Sequence, residues 1–457
     1  MRTDGRTNAT LWIDITELFG QFSLASHPTG VSRVIINLTD ALAAERGAVF
    51  AKVKPMFWHP VLQVPLAVDE PGLGPLEIFF PALRTQYASS GWTVPTVRSG
   101  VWKGIRTAIP KPFRFRIFPY LHGVTHFAGW ARQAGLRVSP VEFTPGDCLF
   151  VPGSFWLDRY APRLGALARS KGAAVVAFAH DVLLLSHPEW MAPHHSQQFR
   201  RGLESFLPCC TAIICNSAYT RDELRKHFSL TGGMSTAVCR LADIPKFMDS
   251  PKSMTNMRAP ADVAKLLGQR YVLLVSTFLF RKNHRLAVSA WQKIWHTLHE
   301  ATPWLVMVGG GTPDPVLAEM LTHEGSFGGR IIRLGGLDDA VLETLYANAW
   351  ITVYPSLDEG YGLPVAEALA RGKVCLAARR GGLTEVAPDL VDAIDAEEPD
   401  DLARRVVEYL ANPALLSAKE ELIRRRYRRT HWEETARTVR GVLESAVAGS
   451  GGTLSAV

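Results

Sequence analysis

Between Tyr271 and Ala377 short apolar runs alternate with helix-patterned runs, and this rhythm constrains the fold more than anything else in the chain. Strand-like runs at 271–275, 304–308, 330–334, 351–354 and 373–377 are separated by helical patterns at 284–297, 314–323, 338–348 and 364–371. The apolar runs are too short for buried helices and lack polar alternation, so they read as strands covered on both faces. Strands of that kind pair in parallel through crossover helices, which gives an α/β sheet with helices on both sides. A second set, at 11–15, 49–53, 148–151, 174–178 and 212–215, with helical runs between several of them, makes another α/β half. A chain of 457 residues exceeds a single core and suits two domains. The weakly patterned stretch around Pro245, Pro251 and Pro260 reads as their connection. The organisation expected is 1–245, a linker at 246–268, a second domain at 269–430, a helix at 431–447 crossing back to the first domain, and a Gly/Ser-rich disordered tail at 448–457.

The strongest functional signal follows the run Ile351–Tyr354. Glu359 and Glu367, eight positions apart, bracket Gly360-Tyr361-Gly362-Leu363-Pro364, and Pro364 suits a first helical position. The glycine loop therefore opens a helix whose free N–H groups and positive dipole end suit phosphate or polar hydroxyls. A carboxylate on each side lets one glutamate hold a sugar and the other a ribose diol.

The segment EGYGLPVAE resembles the donor loop of the retaining, two-Rossmann-domain glycosyltransferases of family 4, nearest their bacterial mannosyltransferase-like members. That resemblance implies the GT-B fold, two Rossmann-like doubly wound parallel-sheet domains facing a central cleft. It further implies that Glu367 holds the nucleotide ribose and Glu359 the transferred sugar. Three other segments carry the same resemblance. In YVLLVSTFLFRKNH, at 271–284, the family uses Arg281 and Lys282 on the donor pyrophosphate, and two adjacent cations suit a dianion. Ser276 stands there where relatives carry glycine. His180-Asp181 closes an apolar run and precedes LLSHPEW; His180 is implied to contact the donor sugar near the reacting carbon, with Leu184 standing where proline is common. PTGVSRV, at 28–34, is similar to a loop facing diphosphate and acceptor, with Gly30 at a turn of close backbone approach. Asn216-Ser217 reads as structural, Ser217 being a natural helix N-cap.

Rival classes fare less well. Gly309-Gly310-Gly311 follows a strand, but no Gly-x-Gly-x-x-Gly opens a helix, which weakens a nicotinamide reading. No Asp-x-Asp occurs, so neither a divalent metal nor any other cofactor is expected. No apolar run approaches a membrane span of roughly 18 residues. No signal peptide is read at the N-terminus, and six cysteines without metal-ligand spacing read as reduced core residues of a cytoplasmic protein.

The net charge of +7 becomes informative once it is located. Ile78 to Val141 holds nine Lys and Arg and no Asp or Glu, leaving the remainder at −2. Aromatics, among them Trp102, Phe113, Phe115 and Trp130, interleave with cations such as Arg114 and Arg116. Three readings stay open for this insertion: an anionic membrane surface, single-stranded nucleic acid, or a partly buried segment whose charges reach solvent. The membrane ranks first, since an acceptor on a polyprenyl diphosphate is presented at the bilayer, and nucleic acid is not an expected partner. A second cluster at 424–429 reads as a solvated helix surface or an extension of the same face.

The expected activity is retaining transfer of a hexose, mannose from GDP-mannose, to a lipid-linked or growing bacterial polysaccharide, at the inner face of the cytoplasmic membrane. The site residues expected are His180, Arg281, Lys282 and Glu359 at the reacting centre, with Gly30, Gly360, Tyr361, Gly362, Leu363 and Glu367 around the donor. The alternative is a catalytically silent protein of the same fold that recruits polysaccharide assembly enzymes to the membrane.

Overall fold

The computed structural model describes residues 9–18, 30–45, 49–59, 62–69, 137–156, 160–229, 234–243, 261–266, 268–337 and 339–450. Most of the basic-aromatic insertion, residues 28 and 29 of the PTGVSRV segment, most of the linker and residues 451–457 lie outside them.

The first sheet comprises β1 (Ala9–Asp14), β2 (Phe50–His59), β3 (Val64–Asp69), β4 (Arg137–Pro140), β5 (Cys148–Val151), β6 (Ala174–Ala179), β7 (Ala212–Cys215) and β8 (Ser235–Val238). Their order is β4-β3-β2-β1-β5-β6-β7-β8. All neighbours are parallel except β2–β3 and β3–β4, which are antiparallel. Those two edge additions extend the sheet beyond the runs visible in the sequence. Pro55 and Pro65 interrupt the apolar pattern there, and proline inside a run argues locally against a strand. At the centre, Ala-Val-Val-Ala-Phe-Ala of β6 is buried throughout, as helices on both faces require.

The second sheet comprises β9 (Tyr271–Val275), β10 (Trp304–Val308), β11 (Ile331–Leu334), β12 (Ile351–Tyr354), β13 (Cys375–Ala378) and β14 (Asp392–Ile394), all in parallel. The order is β11-β10-β9-β12-β13-β14, which is 3-2-1-4-5-6 within this half. The direction of winding reverses between β9 and β12, and in such sheets ligands bind in the crevice outside the carboxyl ends at that point.

The chain crosses between the halves twice, side by side. Asp243, after β8, accepts from Tyr427 Oη at 2.8 Å and from the Thr430 amide at 3.1 Å. Beyond Thr430 the helix Trp432–Ser450 returns to the first half and packs on the helix Gly30–Ala44. Arg440, 6% exposed, donates from Nη2 to the carbonyls of Leu42 and Glu45, both at 2.6 Å, and so satisfies the open C-terminal end of that helix. The sequence suggests an irregular tail from Ala448, whereas the helix continues to Ser450. The buried stripe of Val439, Leu443 and Ala446 carries it past the first small residues.

All six cysteines are free, five of them buried. No helix among the described residues is long and apolar enough to cross a membrane. In the 424–429 cluster, Arg424 and Arg425 pair with Glu421, and Arg426 reaches Asp389 at 3.8 Å.

Candidate active site

The site begins where β9 and β12 part. The loop leaving β9 is held by Asn283, whose left-handed backbone (φ 55°) opens the helix His284–Leu298. Its side-chain amide donates to Pro355 O at 3.1 Å and Ala396 O at 2.7 Å, tying three strand exits together. Gly309, after β10, packs so closely that a Cβ there would lie 1.8 Å from Ser276 O. The Ser276 hydroxyl meets His284 Nε2 at 3.0 Å. Burial, with Lys282 and Arg333 nearby, lowers the His284 pKa to about 4.

That scaffold aims Arg281 and Lys282 at Glu359, which follows β12. Arg281 Nη1 donates to Glu359 Oε2 at 2.6 Å and Lys282 Nζ to Oε1 at 2.5 Å. Lys282 also donates to Tyr354 Oη at 2.7 Å, and that hydroxyl donates to Glu359 Oε1 at 3.1 Å. Glu359 is 5% exposed and Lys282 8%, so the ion pairs are nearly dry. Burial alone would raise the Glu359 pKa, but the two cations together outweigh it and hold the carboxyl at about 2. Burial lowers Lys282 to about 8, against the pull of Glu359 and with the help of Arg281. The arrangement stores two cations against one carboxylate, a net positive centre suited to a dianion.

The facing wall comes from the first domain. His180, at the end of β6, is buried, and its Nε2 lies 2.7 Å from Pro152 O. A carbonyl only accepts, so Nε2 carries the proton; burial lowers the imidazole pKa and keeps it neutral. Asp181 Oδ2 lies 3.9 Å from Arg281 Nη2 across the cleft. Asp181, the sequence neighbour of His180, thereby places a first-domain carboxylate beside the cluster. Gly360 is pressed against this wall: a Cβ there would lie 2.3 Å from His180 O and 2.7 Å from Asp181 Cβ.

Several residues not among those expected at the site stitch the walls together. Ser217 caps the helix Ala218–His227 by accepting from the Thr220 amide at 2.9 Å, as expected, and also donates to Gly360 O at 2.5 Å. Glu385 accepts from the amides of Ala218 and Tyr219 at 2.8 and 2.6 Å, so a second-domain carboxylate sits on the positive end of a first-domain helix. Asp358 takes the Tyr219 hydroxyl, contacts His187 Nε2 at 3.2 Å and accepts from the Glu359 amide at 2.7 Å. A Cβ on Gly382 would lie 2.1 Å from Gly360 O, so the adjacent pair Gly381-Gly382 was the visible signal for this close packing.

The remaining expected residues lie outside the Arg281–Lys282–Glu359 cluster. Tyr361 is buried and aims its hydroxyl at Leu241 O, 3.4 Å away, beside the interdomain crossing and away from the cleft. Gly362 caps the helix Leu363–Ala370 with φ 111°, so Leu363 takes the first helical position and Pro364 the second. Gly30 opens its helix exposed, and a Cβ there meets nothing within 4 Å, so no neighbour in this structure demands glycine. Glu367 accepts from Tyr346 Oη at 2.9 Å and lies 3.9 Å from Arg33 Nη1 of the first domain. A small recess lined by Arg33, Asp339, Tyr346, Glu367 and Arg371 surrounds it. Among the described residues no group of three His, Cys, Asp or Glu side chains could hold a metal ion.

A buried two-cation centre thus lies at the switch point of a 3-2-1-4-5-6 sheet, faced by a second α/β domain. Residues 258–429 match the family of group 1 glycosyl transferases. Both glutamates, Arg281, Lys282 and the glycine loop fall within the matched region. The chain is 24% identical over 315 residues to a serotype-specific mannosyltransferase of Escherichia coli, covering 61% of this chain and 38% of that protein. It is 27% identical over 237 residues to the O-antigen chain mannosyltransferase B of Escherichia coli, covering 52% and 61%. The chain thus spans less than two thirds of the length of either relative. Sucrose-phosphate synthase from Thermosynechococcus elongatus superposes with a TM-score of 0.55 at 19% identity, covering 97% of each chain. Anabaena HepE in complex with UDP and glucose gives 0.55 at 13%, covering 96% of this chain and 100% of that one. The two-domain GT-B architecture is common to all three structures.

Proposed function

We propose that this protein is a retaining glycosyltransferase that moves a hexose from a nucleotide diphosphate sugar to a saccharide acceptor. The observation that carries the reading is the dry Arg281–Lys282–Glu359 cluster at the sheet's switch point, closed over by His180 and Asp181 from the other domain. When a donor enters, the diphosphate competes with Glu359 for the two cations, freeing the carboxylate to turn toward the sugar. As the glycosidic bond breaks, Arg281, Lys282 and the N-terminus of the helix Leu363–Ala370 neutralise the charge that builds on the leaving phosphate. That phosphate, on the face the acceptor approaches, takes the acceptor proton, which keeps the configuration of the reacting carbon. Neutral His180 and the Asp181 carboxylate line the acceptor side, where a hydroxyl needs acceptors and no further cation. The Escherichia coli relatives are named as mannosyltransferases, which supports mannose as the hexose; GDP-mannose as donor and a lipid-linked or growing polysaccharide as acceptor complete the proposal.

The test is thermal unfolding with GDP, UDP, ADP and dTDP, since a ligand at 100 times its Kd adds about 2.7 kcal/mol of stability. A shift with one diphosphate that disappears in Glu367→Ala, together with turnover of the matching sugar donor, supports the reading. No shift with any diphosphate and no transfer would favour the non-catalytic assembly protein. In kinetics, Glu367→Ala is expected chiefly to raise donor KM and Lys282→Ala chiefly to lower kcat; equal, small effects would refute the assigned roles.

A further inference from the structure

Arg33 stands in the first turn of the helix Gly30–Ala44, yet its partners belong to the other domain. Its Nη2 is bonded to Asp339, the first residue of the helix Asp339–Asn348, and its Nη1 faces Glu367 Oε1 at 3.9 Å. The guanidinium therefore plugs the recess that contains Glu367, between the two second-domain helices. With a cavity volume of ≈ 10 Å³, room for about one water, this recess cannot admit a nucleoside while Arg33 is in it. The plug is imperfect: Arg33 Nε is buried with no hydrogen-bond partner among the described residues, so its release recovers the solvation of a stranded donor.

We infer that Arg33, Asp339 and Glu367 form an interdomain latch that occupies the nucleoside subsite in the unliganded enzyme and must open for the donor to bind. Glu367 then exchanges a cation for a ribose diol, and Arg33 is the positioning residue that couples this exchange to movement of the first domain. This rests on the donor-site reading of Glu367. The apparent donor affinity is reduced by the fraction of molecules in which the latch is shut. Opening it by mutation therefore tightens binding.

The experiment compares wild type, Arg33→Met and Asp339→Asn by calorimetric titration with the nucleoside diphosphate that shifts wild-type melting, and by small-angle X-ray scattering without ligand. Both variants are expected to bind the diphosphate about two- to fivefold more tightly, the range for removing one partly exposed ion pair from a closed state. Both are expected to enlarge the unliganded radius of gyration, and the double variant to add nothing beyond either single change. Weaker diphosphate binding in Arg33→Met, with unchanged scattering, would make Arg33 an ordinary donor-binding cation and overturn the latch. Unchanged affinity and unchanged scattering in both variants would overturn it as well. If no nucleoside diphosphate binds wild type, the donor-site reading fails, while the scattering still decides whether the contact holds the domains together.

Discussion

Replacing Glu359 by glutamine keeps the shape of the side chain but removes the charge that two buried cations share. Arg281 and Lys282 are then left side by side and nearly dry, with only Tyr354, the Asp358 carbonyl and the more distant Asp181 to accept from them. Breaking a buried pair from one side costs about 3–5 kcal/mol, because the surviving charge stays uncompensated. Lys282 can escape part of this by losing its proton. In the wild type burial already lowers its pKa to about 8 from 10.5, so between those values the unfolded state holds more protons and stability rises with pH. Without Glu359 both remaining influences, burial and Arg281, push the lysine lower still, and the window of rising stability extends below pH 8. Each pH unit of that extension returns about 1.4 kcal/mol. The penalty of Glu359→Gln should therefore be largest near pH 6 and smaller by more than about 1 kcal/mol at pH 8.5, read from urea unfolding curves. Adding Lys282→Met should recover most of the loss at pH 6. A penalty under about 1 kcal/mol that stays flat from pH 6 to 8.5 would refute the claim that this cluster is a dry, coupled ion triad.

Three further predictions concern other parts of the molecule. Donor binding at pH 8 should take up close to half a proton as the diphosphate restores the charge of Lys282, seen as a binding enthalpy that varies with buffer ionisation heat and loses that variation in Lys282→Met. Gly360→Ala should lower kcat at least tenfold with a much smaller change in melting temperature, because its methyl group meets His180 and Asp181 only across the closed cleft. Arg440→Ala should destabilise the protein by roughly 2–4 kcal/mol, since two helix carbonyls lose a charged donor and an arginine stem leaves a buried site; urea unfolding gives the value.

The fold was legible where burial is two-sided. Uninterrupted runs such as Tyr271–Val275 and Ile351–Tyr354 announce parallel strands, and the glycine loop after the latter announces a helix opening at a ligand crevice. The antiparallel edge of the first sheet was hidden by Pro55 and Pro65, which the tertiary arrangement tolerates although the local pattern does not. At the site, neighbours in sequence could be read, as with Arg281 beside Lys282. Partners across domains could not: that Tyr219 meets Asp358, that Glu385 caps a foreign helix, or that Arg33 reaches Asp339 has no local signature. Nor could the sequence show that Glu359 spends the unliganded state neutralising the cations, because this depends on burial.

The helix Gly30–Ala44 is gripped at both ends by residues from the far side of the sequence, Asp339 and Glu367 near its start and Arg440 at its close. From Arg33 to Leu42 it is a stiff rod of about 14 Å. The helix Trp432–Ser450 thus has a mechanical handle on the cleft from a distance. Shortening that helix, or pulling on it through a fused partner, would tilt the rod and change how tightly the Glu367 recess is plugged.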